Sequence, residues 1–203
     1  MNIIALNSSK KWGGNERWLT SALNGLSSRG HQIYLIKRNK TDHWNGLSSS
    51  IETIDAPFTN ELSIKTKAII KKLIKKCNSD ILLSTKRKDY VIGAQVKNNA
   101  NISHVMRLGI SRPILKRDII QRYVISKRVD GIIVNAQSLK SELLNYSFIK
   151  NNFNSDKIRC IYNGYDILEC KPTNFNKIKS TLLIRCAGRL TVHKGYDLSL
   201  IHI

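Results

Sequence analysis

The chain of 203 residues carries 34 lysine and arginine residues against 14 aspartate and glutamate residues, which gives a formal net charge of +20 and a pI near 10. Hydrophobic residues make up 41% of the sequence and charged residues 24%. This composition excludes a disordered chain and indicates one globular domain with room for the start of another. No apolar run approaches the roughly 20 residues that a membrane-spanning helix needs. The first residues lack the basic and apolar regions of a signal peptide, so we expect a cytoplasmic protein.

The positive charge has two explanations that the sequence leaves open. A charge of this size attracts polyanions, which include nucleic acid, an anionic membrane surface and phosphorylated substrates. The chain is also rich in lysine, asparagine and isoleucine together, which is typical of an AT-rich coding sequence. The cysteines lie far apart without a CxxC pair, which disfavours a zinc site or a disulfide framework. We expect buried free thiols at Cys77, Cys160, Cys170 and Cys186.

Strands and helices alternate from the start of the chain. Residues 2–7 contain the unbroken apolar run 3–6 and predict a buried parallel strand. A turn-rich loop with two glycines follows, and from residue 15 the apolar positions repeat at helical spacing. This helix is predicted to end before Gly30, which supplies a left-handed residue at its C-terminus. Residues 31–36 predict the second strand, which completes a βαβ unit.

The same alternation continues to about residue 161. Further strands are predicted at 51–54, 80–84, 103–107, 131–135 and 157–161, and further helices at 61–77, 90–97, 115–127 and 138–146. In helix 61–77 the predicted buried side consists of Ile64, Ala68, Ile69, Leu73 and Ile74. This pattern predicts an α/β fold with a Rossmann-like, doubly wound parallel sheet. We expect one domain over residues 1–168, a polar linker over 169–180, and the first strand of a second Rossmann-like domain within 181–203.

Three stretches stand out, and the first and third combine residue types that can hold a phosphorylated ligand. Gly13 and Gly14 separate the first strand from its helix, so the backbone can approach a ligand at a helix N-terminus, where an anion is favoured. The alternative is a simple tight turn, and the spacing is not GxGxxG. The second stretch, IYNGYD at 161–166, is a turn after a strand. In the third, Arg189 and Lys194 can grip a diphosphate from two sides, or they are solvated surface charges.

Taken together, GGNER, IYNGYD and GRLTVHKG resemble the group-1 retaining GT-B glycosyltransferases in content and order. Residues 129–138 resemble the last strand and turn of the N-terminal domain in that family. The resemblance implies two Rossmann-like domains that face each other across a cleft, with the acceptor mostly on the N-terminal domain and the sugar nucleotide mostly on the C-terminal one. It also implies transfer that retains anomeric configuration and needs no metal or other cofactor.

The resemblance assigns roles to individual residues. Arg189 and Lys194 match the cations that neutralise the departing nucleoside diphosphate. Gly13 and Gly14 match the loop that approaches the donor phosphate and the reacting sugar. Asn15 and Glu16 are the expected acceptor contacts. The acceptor is expected to be a glycan or a lipid-linked precursor of lipopolysaccharide, capsule or glycolipid.

The sequence departs from the family pattern after the fourth strand, where many members carry a histidine. Lys86 and Arg87 stand there instead, and they either meet an anionic acceptor or donor group or are surface charges. Arg107, at the end of the next strand, and Arg112 share both interpretations.

The family's EX7E segment, which contacts the donor sugar, is not present, so the sequence predicts a chain that is inactive alone. Residues 198–203 match the translation of a transposon-end sequencing adapter. We expect that these six residues do not belong to the protein.

The basic helices allow further interpretations. Lysines of helix 61–77 and cations of residues 115–128 form either a solvated face or a surface that docks peripherally on the anionic inner leaflet of a membrane. The rival functions are a nucleic-acid-binding protein, for which no aromatic, zinc or helix-turn-helix motif is visible, and a non-catalytic Rossmann-like binding module. We expect nucleotide sugar and glycan partners rather than nucleic acid.

Overall fold

Seven parallel strands form the sheet in the computed structural model, which describes residues 1–41, 43–98, 100–111, 118–164, 188 and 195–196. The strands lie in the order β3-β2-β1-β4-β5-β6-β7. Their bounds are β1 Asn2–Asn7, β2 Gln32–Arg38, β3 Glu52–Ala56, β4 Ile81–Ser84, β5 Ser103–Leu108, β6 Gly131–Val134 and β7 Ile158–Cys160. The predicted α/β fold with a parallel Rossmann-like sheet is confirmed.

Helices connect most of these strands, and a short 3₁₀ helix, Ser155–Lys157, precedes β7. The α-helices are α1 Gly14–Ser27, α2 Ile64–Cys77, α3 Arg87–Lys97, α4 Ile119–Arg128, α5 Gln137–Leu144 and α6 Ser147–Asn152. The sequence predicted α1 to α5 to within a few residues, although residues 115–117 of the fourth predicted helix lie outside the described part. It predicted neither α6 nor the 3₁₀ helix, because each is shorter than the window over which helical periodicity is visible.

The two faces of the sheet carry different helices. Leu19 and Leu23 of α1 pack with Ile3 and Ala5 on one face, whereas α2 and α3 cover the alternate residues of the same strands on the other face. Alternation of this kind follows from the period of two along a strand. Helix α1 ends as predicted, with Gly30 in a left-handed conformation at φ +83°.

The buried side of α2 differs from the prediction. Leu73 is buried as predicted, but Ile64 is 78% exposed and Ala68 is also exposed, and the buried side includes Thr66 and Ile70 instead. Thr66 faces inward because its hydroxyl accepts a hydrogen bond of 3.0 Å from the Phe58 N–H and lies 2.9 Å from the hydroxyl of the N-cap residue Ser63. Thr66 is thus on the buried side of the helix, and the predicted Ile69 and Ile74 are half-buried. The spacing of hydrophobic residues alone does not predict these hydrogen bonds of Thr66.

The whole sheet belongs to one unit, Met1–Gly164. The predicted boundary at residue 168 and the linker over 169–180 lie outside the described residues. So does the predicted second domain, apart from Gly188, Gly195 and Tyr196. Among the described cysteines, Cys77 and Cys160 are free and half-buried, while Cys170 and Cys186 lie outside this part. No helix within the described residues is long and apolar enough to cross a membrane.

Candidate functional site

The direction of the chain reverses at the centre of the sheet. From β1 the chain passes outward to β2 and β3 on one side, and it then returns to β4 on the other side. In open parallel sheets such a switch point leaves a crevice at the carboxyl ends of the two strands, and ligands bind there. The loops after β1 and β4 therefore meet at the position where a ligand site is expected.

The loop after β1 leads into α1 through two glycines with different environments. Gly13 is the N-cap residue, and a Cβ placed on it would lie 3.3 Å from Glu16 Oε2. A Cβ on Gly14 would meet no described atom within 4 Å. Gly13 therefore makes room for a side chain of the protein, whereas Gly14 leaves open space before the N-terminus of α1, where N–H groups and the helix dipole favour an anion.

Glu16 is the centre of a hydrogen-bond cluster beside this loop, and only 2% of its side chain is exposed. Its Oε1 lies 2.9 Å from Lys86 Nζ and accepts hydrogen bonds of 3.2 Å from Asn7 and 3.3 Å from Asn15. Burial alone would raise the pKa of this carboxyl, but the bonds from Lys86, Asn7 and Asn15 outweigh burial and hold the pKa below its usual value. Glu16 is thus a carboxylate that ties α1 to the loop after β4.

A second layer lies directly beneath this cluster. Asp89 is fully buried, accepts a 3.1 Å hydrogen bond from the Ser8 N–H, and lies 3.3 Å from the Thr85 hydroxyl. The same hydroxyl lies 3.2 Å from Asn7 Nδ2. Burial raises the pKa of Asp89 to about 7. Asp89 joins the loops after β1 and β4 from below, and it carries a proton for part of the time at neutral pH.

Arg107 at the end of β5 completes the cluster. Its Nη1 donates a 2.6 Å hydrogen bond to Asn15, its Nη2 donates one of 3.3 Å to Asn163, and its Cζ lies 4.2 Å from the centre of the Trp18 ring. A Cβ on Gly109 would lie 2.8 Å from Arg107 Cζ, so this glycine makes room for the guanidinium. Burial lowers the pKa of Arg107, but an arginine stays charged.

Six of the predicted site residues meet at this edge of the sheet, namely Gly13, Gly14, Asn15, Glu16, Lys86 and Arg107. Arg87 lies elsewhere, because its guanidinium pairs with Glu61 and, at 3.0 Å, with Asp118. This pairing with two carboxylates was not among the interpretations that the sequence offered for Arg87, and both of those stay predictions. Arg112, Arg189 and Lys194 lie outside the described residues, so the predicted diphosphate cations stay a prediction.

Sequence reasoning did not single out several residues of the cluster, which are Asn7, Thr85, Asp89, Trp18 and Asn163. A signal was present at Asn7, a polar residue that closes an otherwise apolar strand at the carboxyl edge. Asn163 belongs to the IYNGYD stretch, which was recognised as a motif but not as a source of a site side chain. Asp89 and Trp18 carry no sequence signal, since a polar or aromatic residue in the first turns of a helix is common.

The chemical character of the cluster is cationic and rich in donors. Lys86 and Arg107 supply charge on either side of the N-terminus of α1, and Glu16 offsets part of it. Since 33% of the Lys86 side chain is exposed, its ammonium can also meet a ligand. The arrangement can therefore hold an anionic or polyhydroxylated ligand in front of Gly14.

No family model and no curated protein matches the sequence. Solved structures do match it. HepE of Anabaena, in complex with UDP and glucose, has a TM-score of 0.64 at 19% identity over 86% of this chain and 47% of its own. Sucrose-phosphate synthase from Thermosynechococcus elongatus has a TM-score of 0.62 at 15% identity over 85% and 50%. The lipopolysaccharide outer core galactosyltransferase WaaB has 0.58 at 12% identity over 82% and 47%.

These similarities establish the class of fold. The sheet and its helices form a Rossmann-like domain of the kind found in GT-B glycosyltransferases. The chain spans about half the length of the solved structures that it matches.

Proposed function

We propose that this chain forms the acceptor-side half of a glycosyltransferase that moves a sugar from a nucleotide-sugar donor to a glycan or lipid-linked acceptor. The observation that carries the proposal is the open space before Gly14, where the N-terminus of α1 lies beside Lys86 and Arg107 at the switch point. The matched structure of HepE holds UDP and glucose, which supports a nucleotide sugar as the donor class.

Each residue of the cluster has a separate part in this proposal. The backbone at Gly14 approaches the donor phosphate and the transferred sugar, since no Cβ stands in the way. Lys86 and Asn15 meet the acceptor or the departing phosphate. Glu16 keeps both in place, because its buried carboxylate takes hydrogen bonds from each of them. Arg189 and Lys194 neutralise the leaving nucleoside diphosphate, as the motif resemblance implies.

The finer features of the reaction belong to the same proposal. Transfer retains the anomeric configuration and uses cations of the protein rather than a metal ion to stabilise the leaving group, as the motif resemblance implies. The acceptor is proposed to be lipid-linked, of lipopolysaccharide type, in keeping with the lysine- and arginine-rich helices α2 and α4. The donor half of the site is required for turnover.

Nucleotide-sugar turnover tests this proposal. The protein encoded by the complete reading frame that contains this chain is incubated with UDP-, GDP- and ADP-sugars, and release of the nucleoside diphosphate is measured. We expect slow release from one donor class in water and faster release with a lipid-linked glycan acceptor. Failure to bind or cleave any nucleotide sugar would overturn the proposal.

A further inference from the structure

Apolar side chains are exposed at the starts of α2 and α4, two helices that flank α3 on the same face of the sheet. Ile64 of α2 and Ile119 of α4 are each 78% exposed, and the nearby Leu62 and Ile120 are exposed as well. We define the apolar rim as Leu62, Ile64, Ile119, Ile120 and Tyr123, whose exposed fractions run from 51% to 78%. Exposed aliphatic side chains are common singly, but a grouped set indicates a contact surface.

Arg87 brings the two helix starts together. Its guanidinium pairs with Glu61, which directly precedes Leu62, and with Asp118, the N-cap residue of α4, at 3.0 Å. The starts of α2 and α4 are therefore held on either side of the first residue of α3. Both helices follow strands at the carboxyl edge of the sheet, so the apolar rim lies on the same edge as the candidate site.

Helices α2 and α4, at whose starts the apolar rim lies, carry cations along their length. Helix α2 contains six lysines, helix α4 three cations, and neither contains an acidic residue. We define the basic face as Lys65, Lys67, Lys71, Lys72, Lys75, Lys76, Arg122, Lys127 and Arg128. The nearby carboxylates of Glu61 and Asp118 are paired with Arg87, and Glu52 lies 4.0 Å from Lys76 of the basic face.

A groove across α2, α3 and α4 contains part of the basic face. It encloses about 410 Å³ and is lined by Lys67, Lys71, Tyr123 and Arg128 among others. Lys67 donates a 2.9 Å hydrogen bond to Gln95, and Arg128 donates one of 3.2 Å to the Tyr123 hydroxyl. Tyr123 thus links the groove to the apolar rim, with an apolar ring and a polar tip of the kind that suits a membrane interface.

We propose that the apolar rim and the basic face together dock on an anionic lipid bilayer. The aliphatic side chains enter the boundary between head groups and acyl chains, while the cations contact the head-group phosphates. Nucleic acid would pair with the cations of the basic face, but it offers no apolar phase in which the exposed isoleucines could be buried. Docking in this way brings the candidate site close to the lipid surface, and the benefit for a lipid-linked acceptor rests on the proposed function.

Vesicle sedimentation of the complete 203-residue chain tests the docking. Vesicles of phosphatidylcholine alone are compared with vesicles that also contain phosphatidylglycerol, at low and at physiological salt. We expect binding to the anionic vesicles that weakens with salt but does not vanish, and little binding to the neutral ones. Equal binding to both kinds would overturn the proposal. Nucleotide sugars take no part in this assay, so its failure would leave the proposed function standing.

Two pairs of substitutions separate the apolar contribution from the charge. The double variant Ile64→Ser with Ile119→Ser should reduce partitioning onto anionic vesicles by roughly tenfold, because it removes two inserted side chains. Its matched control, Ile161→Ser with Tyr162→Ser, changes two exposed residues outside the apolar rim and should bind as wild type. Thermal unfolding should be unchanged in the first pair, since both isoleucines are 78% exposed.

The charged pair is Lys72→Gln with Lys75→Gln on α2, where both lysines are exposed. We expect this pair to reduce partitioning onto anionic vesicles by about tenfold. The control Arg29→Gln with Arg159→Gln removes the same charge from exposed positions just after α1 and on β7 and should have a smaller effect. A loss in the lysine pair with none in the isoleucine pair would assign the surface to polyanions such as nucleic acid and overturn the proposal. The proposal would also be overturned if the chain bound no vesicles but associated with itself, and the double variant Ile64→Ser with Ile119→Ser abolished that association.

Discussion

Lys86 Nζ lies 2.9 Å from Glu16 Oε1, and this ion pair joins the loop after β4 to the first turn of the helix after β1. The two residues are 70 positions apart in the chain but occupy the two sides of the switch point. The pair therefore fixes the width of the crevice in which we place the ligand.

Replacing Lys86 with methionine should destabilise the fold by about 1–3 kcal/mol, because the buried carboxylate of Glu16 loses its charged partner. Glu16→Gln should cost less, and the double variant should cost less than the sum of the two single changes. Urea unfolding of the four proteins gives the coupling free energy. Additive changes would contradict a stabilising pair.

The same pair predicts a pH dependence at the acidic end. Because the folded state holds the pKa of Glu16 below 4.5, its contribution to the free energy of unfolding is present above that pH. The contribution is lost as the pH falls through the folded pKa. Glu16→Gln should remove this part of the acid sensitivity, and urea unfolding at a series of pH values below 5 measures it.

Asp89 should change the free energy of unfolding with pH in the opposite direction to Glu16. Its pKa is about 7 in the folded chain against 3.8 in the unfolded one, so the folded state binds the proton more tightly. The free energy of unfolding then falls as the pH rises from about 4 to 7. His104, which is fully buried and has a folded pKa of about 4 against 6.5 unfolded, contributes stability that is lost as the pH falls through this window.

Asp89→Asn should therefore leave the His104 contribution unopposed. The variant keeps the acceptor for the Ser8 N–H and stays neutral at every pH. We expect its free energy of unfolding to rise more steeply between pH 4 and pH 6.5 than that of the wild type. A variant whose pH profile runs parallel to the wild type would show that Asp89 does not titrate in this range.

Gly109→Ala should displace a side chain rather than unfold the chain. The added Cβ would come within 2.8 Å of Arg107 Cζ, and a flexible arginine can move. Loss of the guanidinium from its place 4.2 Å above the Trp18 ring should change the tryptophan fluorescence, with a loss of stability below about 1 kcal/mol. Gly131→Ala, whose Cβ would have only ordinary contacts of 3.7 Å or more, serves as the control and should leave the fluorescence unchanged.

The strands and the glycine loop could be predicted from sequence, because an unbroken apolar run and its punctuation by glycine are local signals. The different partners of Lys86 and Arg87 could not be predicted. The sequence predicted α3 from residue 90, whereas the helix begins at Arg87 and leaves Lys86 as an extended N-cap residue. Because the helix begins between the two residues, the Lys86 side chain pairs with Glu16, whereas the Arg87 side chain pairs with Glu61 and Asp118.

The buried polar layer was also beyond sequence reasoning. Asp89 contacts Ser8, 81 positions away, and Arg107 contacts Asn15, 92 positions away. Contacts at such separations depend on the strand order, and a βαβ pattern alone does not give the order β3-β2-β1-β4. The exposed Ile64 was misplaced for a related reason, since the hydrogen bonds of Thr66 decide which side of α2 faces the sheet.

Gly14→Ala separates stability from function. The added Cβ meets no described atom within 4 Å, and alanine restricts the unfolded chain, so the variant should be more stable by about 0.4–1 kcal/mol. If the backbone at Gly14 approaches the donor, turnover by the complete protein should nevertheless fall at least about tenfold. Gly25→Ala, further along the same helix, should gain similar stability without the loss of turnover.

The most direct test of the site is a titration of the chain with UDP-glucose at millimolar concentrations, followed through the backbone amide resonances of the protein. The account predicts that shifts concentrate on Gly14, Asn15 and Glu16 at the start of α1 and on Lys86 across the crevice, and that Gly14→Ala reduces them. Shifts confined to α2 and α4, or no shifts at any residue, would contradict a sugar-nucleotide site at the switch point.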